Sequence, residues 1–287
     1  MPNIDFHLDV GYKLYKYGDV DLRKSTDRAV DFPAMKAGNL DGGVFVAYLS
    51  DSVQDALGPQ ESLDRIRQQL GVINFYQRKS KRKIFIGIEG GRLINNNLDV
   101  LKYFNRWGIT YLTLVHNRNL NWIDSATDIE NIGGITDFGY EVIKCCEEQG
   151  ILVDVSHSSD LATLGVIEHS IKPIIASHSG MSRLHDHPRN ISNLIVDSIK
   201  NTDGVIGIPF VKSFLGDYTV AEHIDYAVQT IGIDHVGVGS DLDGAQCIVE
   251  SVRDWEHWKE PLSYKGYSDS DIEKIAGGNW LRLLDVN

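Results

Sequence analysis

Seven side chains able to hold a metal ion or move a proton stand at matching places in this sequence: His7, Asp9, Glu89, His116, His157, His178 and Asp241. His7 and Asp9 are two residues apart. In an extended strand, whose side chains alternate, they share one face and can offer an imidazole nitrogen and a carboxylate oxygen to a single cation. The other five each fall at the end of a short apolar run rich in Val and Ile. One histidine at a strand end is commonly a satisfied structural group, but seven such residues at corresponding positions form a set. Imidazole and carboxylate without thiolate suit zinc, manganese, iron or cobalt, and zinc best. The set is too large for one tetrahedral catalytic ion, and it matches two ions about 3.5–4 Å apart that share a carboxylate. Such a pair acidifies water and polarises a carbonyl, which points to hydrolysis of an amide or ester.

The apolar runs predict eight strands, over 4–10, 43–49, 84–89, 110–116, 151–157, 173–178, 205–210 and 236–241. Helical spacing fills the gaps, most clearly over 219–231, where Val220, Ile224, Ala227, Val228 and Ile231 recur behind a Thr219/Glu222 capping box. Further helices are expected over 61–70 and 271–284, the second containing Gly277-Gly278, which a tight packing contact would explain. Eight β/α units predict a (β/α)8 TIM barrel forming one domain over residues 1–287. An open doubly wound sheet competes, but no G-x-G-x-x-G follows the first strand. In that strand Ile4, Phe6, Leu8 and Val10 should face the helices, which turns Asn3, Asp5, His7 and Asp9 inward.

Composition sets the context. Forty Asp and Glu against 28 Lys and Arg leave a net charge of −12, which argues against nucleic acid or an anionic membrane surface as a partner. No apolar stretch reaches the roughly 18 residues of a membrane span, and the first residues lack the features of a signal peptide. Cys145, Cys146 and Cys247 have no metal-type spacing, so reduced thiols and a cytoplasmic location are expected.

Several longer runs resemble the membrane (renal) dipeptidase family, peptidase family M19. They are Tyr111-Leu112-Thr113-Leu114-Val115-His116-Asn117, Val153-Asp154-Val155-Ser156-His157, Ala176-Ser177-His178-Ser179, His187-Pro188-Arg189-Asn190 and Gly239-Ser240-Asp241-Leu242-Asp243-Gly244. Val30-Asp31-Phe32-Pro33, Ile88-Glu89-Gly90-Gly91, Asn121-Trp122-Ile123-Asp124-Ser125 and Gly277-Gly278-Asn279-Trp280-Leu281-Arg282 extend the resemblance over the whole chain. It implies an amidohydrolase-like barrel with two zinc ions that cleaves dipeptides. One ion would sit on His7, Asp9 and Glu89, the other on Glu89, His157 and His178, with Glu89 as bridge. His116 would polarise the scissile carbonyl, Asp241 would carry the proton from the attacking water to the leaving amine, and Arg189 would hold the substrate carboxylate with Asn190 beside it. A homodimer is also implied.

The frame Asp5-Phe6-His7-Leu8-Asp9 and the segment Pro209-Phe210-Val211 depart from the family pattern. They leave open a related enzyme acting on an N-acyl amino acid or a lactam. Of the remaining residues, Asp154 is expected to orient His157 or His178, or to serve a turn. His169, His185, His223, His235 and His257 read as structural, and Trp255, Trp258 and Trp280 as packing on the barrel exterior.

Overall fold

The computed structural model describes residues 1–17, 21–25, 28–129 and 132–285. Eight strands form one parallel sheet in chain order: β1 (Ile4–Leu8), β2 (Gly42–Tyr48), β3 (Lys83–Glu89), β4 (Ile109–Thr113), β5 (Leu152–Asp154), β6 (Ile174–Ala176), β7 (Val205–Ile208) and β8 (Val236–Val238). The two edges meet. Leu8 bridges in parallel to Leu242, Asp241 N donates to the His7 carbonyl at 3.1 Å, and Asp9 N donates to the Leu242 carbonyl at 3.0 Å. The sheet therefore closes into a barrel, with helices between successive strands. No helix among the described residues is long and apolar enough to cross a membrane.

Strand alternation sorts the apolar residues into two layers. Val44 and Val46 of β2 join Ile4, Phe6, Tyr111, Ile175 and Val205 inside the barrel, while Phe45 and Ala47 pack outward beneath the helices. Trp280 and Leu283 belong to the inner layer. The indole of Trp280 lies 5.0 Å from the Phe6 ring and closes the end of the barrel where the strands begin. Trp280 is thus an interior plug, whereas Trp255 and Trp258 pack in the outer layer as expected.

Strict alternation fails in β1. Its register against β2 passes from Asp5↔Gly43 to Leu8↔Phe45, so three steps on β1 match two on β2. The bulge lets two sequence neighbours, Phe6 and His7, both reach inward. Ile4 and Phe6 join the barrel interior rather than the helix layer, and Asp5 turns outward to accept from Trp255 Nε1 at 2.7 Å.

Two helices differ from the sequence reading. The 61–70 segment lies inside a helical stretch, Asp51–Lys79, that starts behind an N-cap at Ser50 and is broken at Gly58 (φ +74°) before Pro59. The expected 271–284 helix is divided into Asp269–Glu273, a wide turn over Lys274–Gly278, and Asn279–Asp285. A side chain at Gly277 would place Cβ 2.4 Å from the Pro2 carbonyl oxygen, which is the tight contact expected there. Val220–Ile231 forms as expected, with both halves of its capping box made.

The ladders also stop early. His116, His157, His178 and Asp241 stand two or three residues beyond the ends of β4, β5, β6 and β8, in the loops that crown the barrel. Glu89 is the last residue of β3 itself. His157 (φ +72°) and Asp241 (φ +62°) hold left-handed backbone conformations that L-residues seldom adopt.

Candidate active site

The crown brings three imidazoles to one carboxylate. Glu89 Oε1 lies 2.9 Å from His157 Nε2, 3.4 Å from His178 Nε2 and 3.7 Å from His7 Nε2, and His7 Nε2 is 3.7 Å from Asp9 Oδ2. All are buried. The opposite nitrogen of each ring meets an oxygen. His7 Nδ1 is 2.7 Å from the Tyr111 hydroxyl, which itself donates to the Phe6 carbonyl at 3.2 Å. His178 Nδ1 is 2.8 Å from Ser177 Oγ, which donates to Asp154 Oδ2 at 2.6 Å. His157 Nδ1 is 3.1 Å from Asn117 Oδ1.

With the Tyr111 proton on the Phe6 carbonyl, the Ser177 proton on Asp154 and an amide oxygen of Asn117 facing His157, each Nδ1 is the donor, and each neutral ring presents a bare Nε2 lone pair to Glu89. Asp154 orients His178 through Ser177 and also accepts from Thr113 Oγ1 at 2.6 Å. Of its two expected roles, the orienting one is the one built.

Three lone pairs converging on a carboxylate oxygen make a pocket of acceptors. Burial pushes the Glu89 and Asp241 carboxyls well up, and each is pushed further by Asp9 nearby. Asp9 itself is pushed up to about 7, mainly by burial. Burial equally holds the His7, His157 and His178 imidazoles below their ordinary value. Protein groups alone satisfy this arrangement poorly. His7 Nε2 and Asp9 Oδ1 are buried with no hydrogen-bond partner. Divalent cations would reverse the local electrostatics by favouring carboxylate and neutral imidazole together. Geometry, orphaned atoms and donor chemistry all fit a metal centre. Three overlapping groups have ligand atoms within 4.8 Å of one another: His7, Glu89 and His178; Glu89, His116 and His157; His7, Asp9 and Asp241.

Asp9, Tyr48, Glu89, His116, Asn117, His157, Arg189, Phe214, Asp241, Gly244 and Ala245 line a cavity of about 280 Å³ above this cluster. Arg189 is buried, and that burial lowers its guanidinium to about 10. Its Nη2 donates to His178 Nε2 at 2.8 Å, and the cation lies 5.2 Å from the centre of the Phe214 ring. Gly244 is forced by close approach, because a Cβ there would fall 1.9 Å from Asp9 Oδ2.

Asn190 does not join the cavity wall. Its amide accepts from Gly180 N and donates to the His185 and Phe214 carbonyls, so it braces the loop that carries Arg189. Sequence reasoning assigned no role to Tyr48, Asn117 or Phe214. Tyr48 was within reach, since the strand-end rule that found Glu89 also applies to its cross-strand partner in β2. Asn117 lies in a loop and Phe214 in the single-turn helix Lys212–Leu215, and neither is long enough for a periodicity that points inward.

A family model described as membrane dipeptidase (Peptidase family M19) matches residues 1–286. Dipeptidase tcpJ of Claviceps purpurea is 32% identical over 218 residues, covering 72% of this chain and 51% of that protein. Dipeptidase 3 of Mus musculus is 27% identical across 99% of the chain and 64% of its own length. Dipeptidase verJ of Clonostachys rogersoniana is 29% identical across 99% of the chain and 84% of its length. The chain thus spans about half to two thirds of the first two relatives.

Among solved structures, a metallopeptidase from Rhodobacter sphaeroides liganded with a phosphinate mimic of L-Ala-D-Ala superposes with TM-score 0.86 at 23% identity, covering 99% of both chains. The probable dipeptidase PvdM from Pseudomonas aeruginosa superposes with TM-score 0.88 at 20% identity, covering 99% of this chain and 94% of its own. These structures share the (β/α)8 barrel. With a family match over essentially the full length and the motif histidines gathered at one rim, this chain belongs to the membrane dipeptidase family, peptidase family M19.

Proposed function

We propose that the chain is a zinc-dependent dipeptidase that cleaves the single peptide bond of a dipeptide. The observation that carries the reading is the lone-pair pocket: Glu89 Oε1 facing three Nε2 atoms beside Asp9, under a cavity of about 280 Å³. His7, Asp9 and Glu89 would hold one zinc ion, and Glu89, His157 and His178 a second. Bound there, the two ions supply carbonyl polarisation and water acidified towards neutrality.

The protein's own groups account for the rest. Arg189, with its planar fork of donors, receives the substrate carboxylate. His116, on the cavity wall, meets the carbonyl oxygen as negative charge develops on it. Asp241 takes a proton as the water oxygen adds to the carbonyl carbon. It returns that proton to the amine nitrogen as the C–N bond breaks. The closed barrel floor and buried walls keep bulk water from this exchange. Cys145, Cys146 and Cys247 are all unpaired, which supports a reducing compartment such as the cytoplasm.

The test is hydrolysis of alanyl and glycyl dipeptides before and after chelation. Turnover should vanish on metal removal and return with zinc. Undiminished turnover by the stripped protein would overturn the reading.

A further inference from the structure

His116 is held differently from the other three imidazoles. Its Nδ1 lies 3.3 Å from Asp51 Oδ2, on a different element: Asp51 is the first residue of the helical stretch that follows β2. The ring is packed between Tyr48, at a centroid distance of 4.8 Å, and His157, at 4.4 Å. Asp51 is itself buried and braced. Its other oxygen, Oδ1, lies 3.7 Å from Arg92 Nη1, and Arg92 pairs with Asp55, which in turn takes Arg118 Nη1 at 2.6 Å. A buried carboxylate aimed at a ring nitrogen, with Arg92 beside its other oxygen, is more than helix capping requires. Ser50 already supplies that cap.

We propose that Asp51 is a positioning residue for the reaction: it takes the Nδ1 proton of His116 and so turns Nε2 towards the reacting carbonyl. A half-turn about Cβ–Cγ would exchange Nδ1 with Cδ2, and the Asp51 contact selects one of these two orientations. With Nδ1 held by Asp51, Nε2 is the ring nitrogen left to the cavity that His116 lines. Arg92, Asp55 and Arg118 tie the segments that follow β2, β3 and β4 into one support for this contact. The inference deepens the dipeptidase reading and rests on it for its kinetic consequence alone.

Two measurements on the zinc-loaded full chain test it. Asp51→Ala should lower kcat for a dipeptide roughly 10–100-fold, the usual cost of removing the partner that orients a functional imidazole. KM should stay within about twofold, with two zinc ions retained. In a His116→Ala background the same change should cost less than about twofold, because the group it positions is gone. A full loss in that background, or no loss in the wild-type background, overturns the proposal. The second measurement is the tautomer of His116, read by long-range ¹H–¹⁵N NMR and assigned with His116→Ala. The wild-type chain should show the Nδ1–H form, and Asp51→Ala should lose that preference. An Nε2–H form in the wild type overturns the proposal whatever the activity. Absence of dipeptidase turnover in the wild type would remove the dipeptidase reading, and the tautomer would still decide the role of Asp51.

Discussion

The two ends of this barrel are built on opposite principles. At the end where the strands begin, Trp280, Phe6 and Tyr111 fill the interior with rings, and Gly277 lets the last helical segment close against the Pro2 carbonyl. At the other end three carboxylates and three imidazoles are buried together with the half-buried His116 beside them, two of these residues hold left-handed backbone, and His7 Nε2 and Asp9 Oδ1 lack hydrogen-bond partners. Burying groups this way costs stability unless something compensates it. One end therefore serves the fold, and the other draws on that stability to hold a site that the protein alone does not satisfy.

Substitutions that fall on one side of this divide should show it. The largest effect is expected for Glu89→Gln, which removes the shared carboxylate. Metal content and hydrolysis should fall together, by more than the roughly 10–100-fold that losing a ligand's outer hydrogen-bond partner costs. Plasma emission spectrometry beside the dipeptide assay checks this, and full occupancy in the variant would contradict the bridging role. Next comes Trp280→Ala, which should cost about 3–5 kcal/mol of stability in denaturant melts of the metal-free chain while the folded fraction still binds metal. Loss of metal affinity in the folded variant would erase the distinction between the two ends.

A pair of glycines sharpens it further. Gly277→Ala should cost about 1–3 kcal/mol of stability by overpacking against backbone and leave the metal constant alone. Gly244→Ala, whose Cβ would meet Asp9 Oδ2, should instead weaken zinc binding in a competition titration. Equal effects of the two on both readouts would argue against separate roles. The smallest change is expected at Tyr111, whose ring belongs to the inner core and whose hydroxyl orients His7. Tyr111→Phe should lower zinc affinity only about tenfold, the low end for such a partner, because Ser177 Oγ lies 3.4 Å from the same nitrogen.

The sequence showed the apolar end and the polar end unequally. Eight runs of Val and Ile were enough for the barrel, because a buried parallel strand is read from composition alone. His116, His157 and His178 were legible for a related reason: each follows an apolar run directly, so strand and candidate side chain are read together. The ladders nevertheless end two or three residues sooner, since His157 and Asp241 leave the extended conformation for a left-handed one that no residue type announces. The structure brings His7 and Asp9 within 3.7 Å of each other although β1 does not keep the alternation on which they were paired, because a bulge carries Phe6 and His7 inward together. Asn190 was read as a substrate contact, but its amide is committed to three backbone groups. Asp51 was invisible because it approaches His116 from 65 residues away, from the start of a helix. Periodicity sees a face; it does not see which element crosses it.

Anomalous X-ray scattering at the zinc edge, from crystals of the zinc-loaded full chain, tests the central claim most directly. Two peaks should lie on either side of the Glu89 carboxylate, one against His7 and Asp9 and the other against His157 and His178. A single peak away from Glu89, or an empty rim with zinc bound elsewhere, would contradict the account.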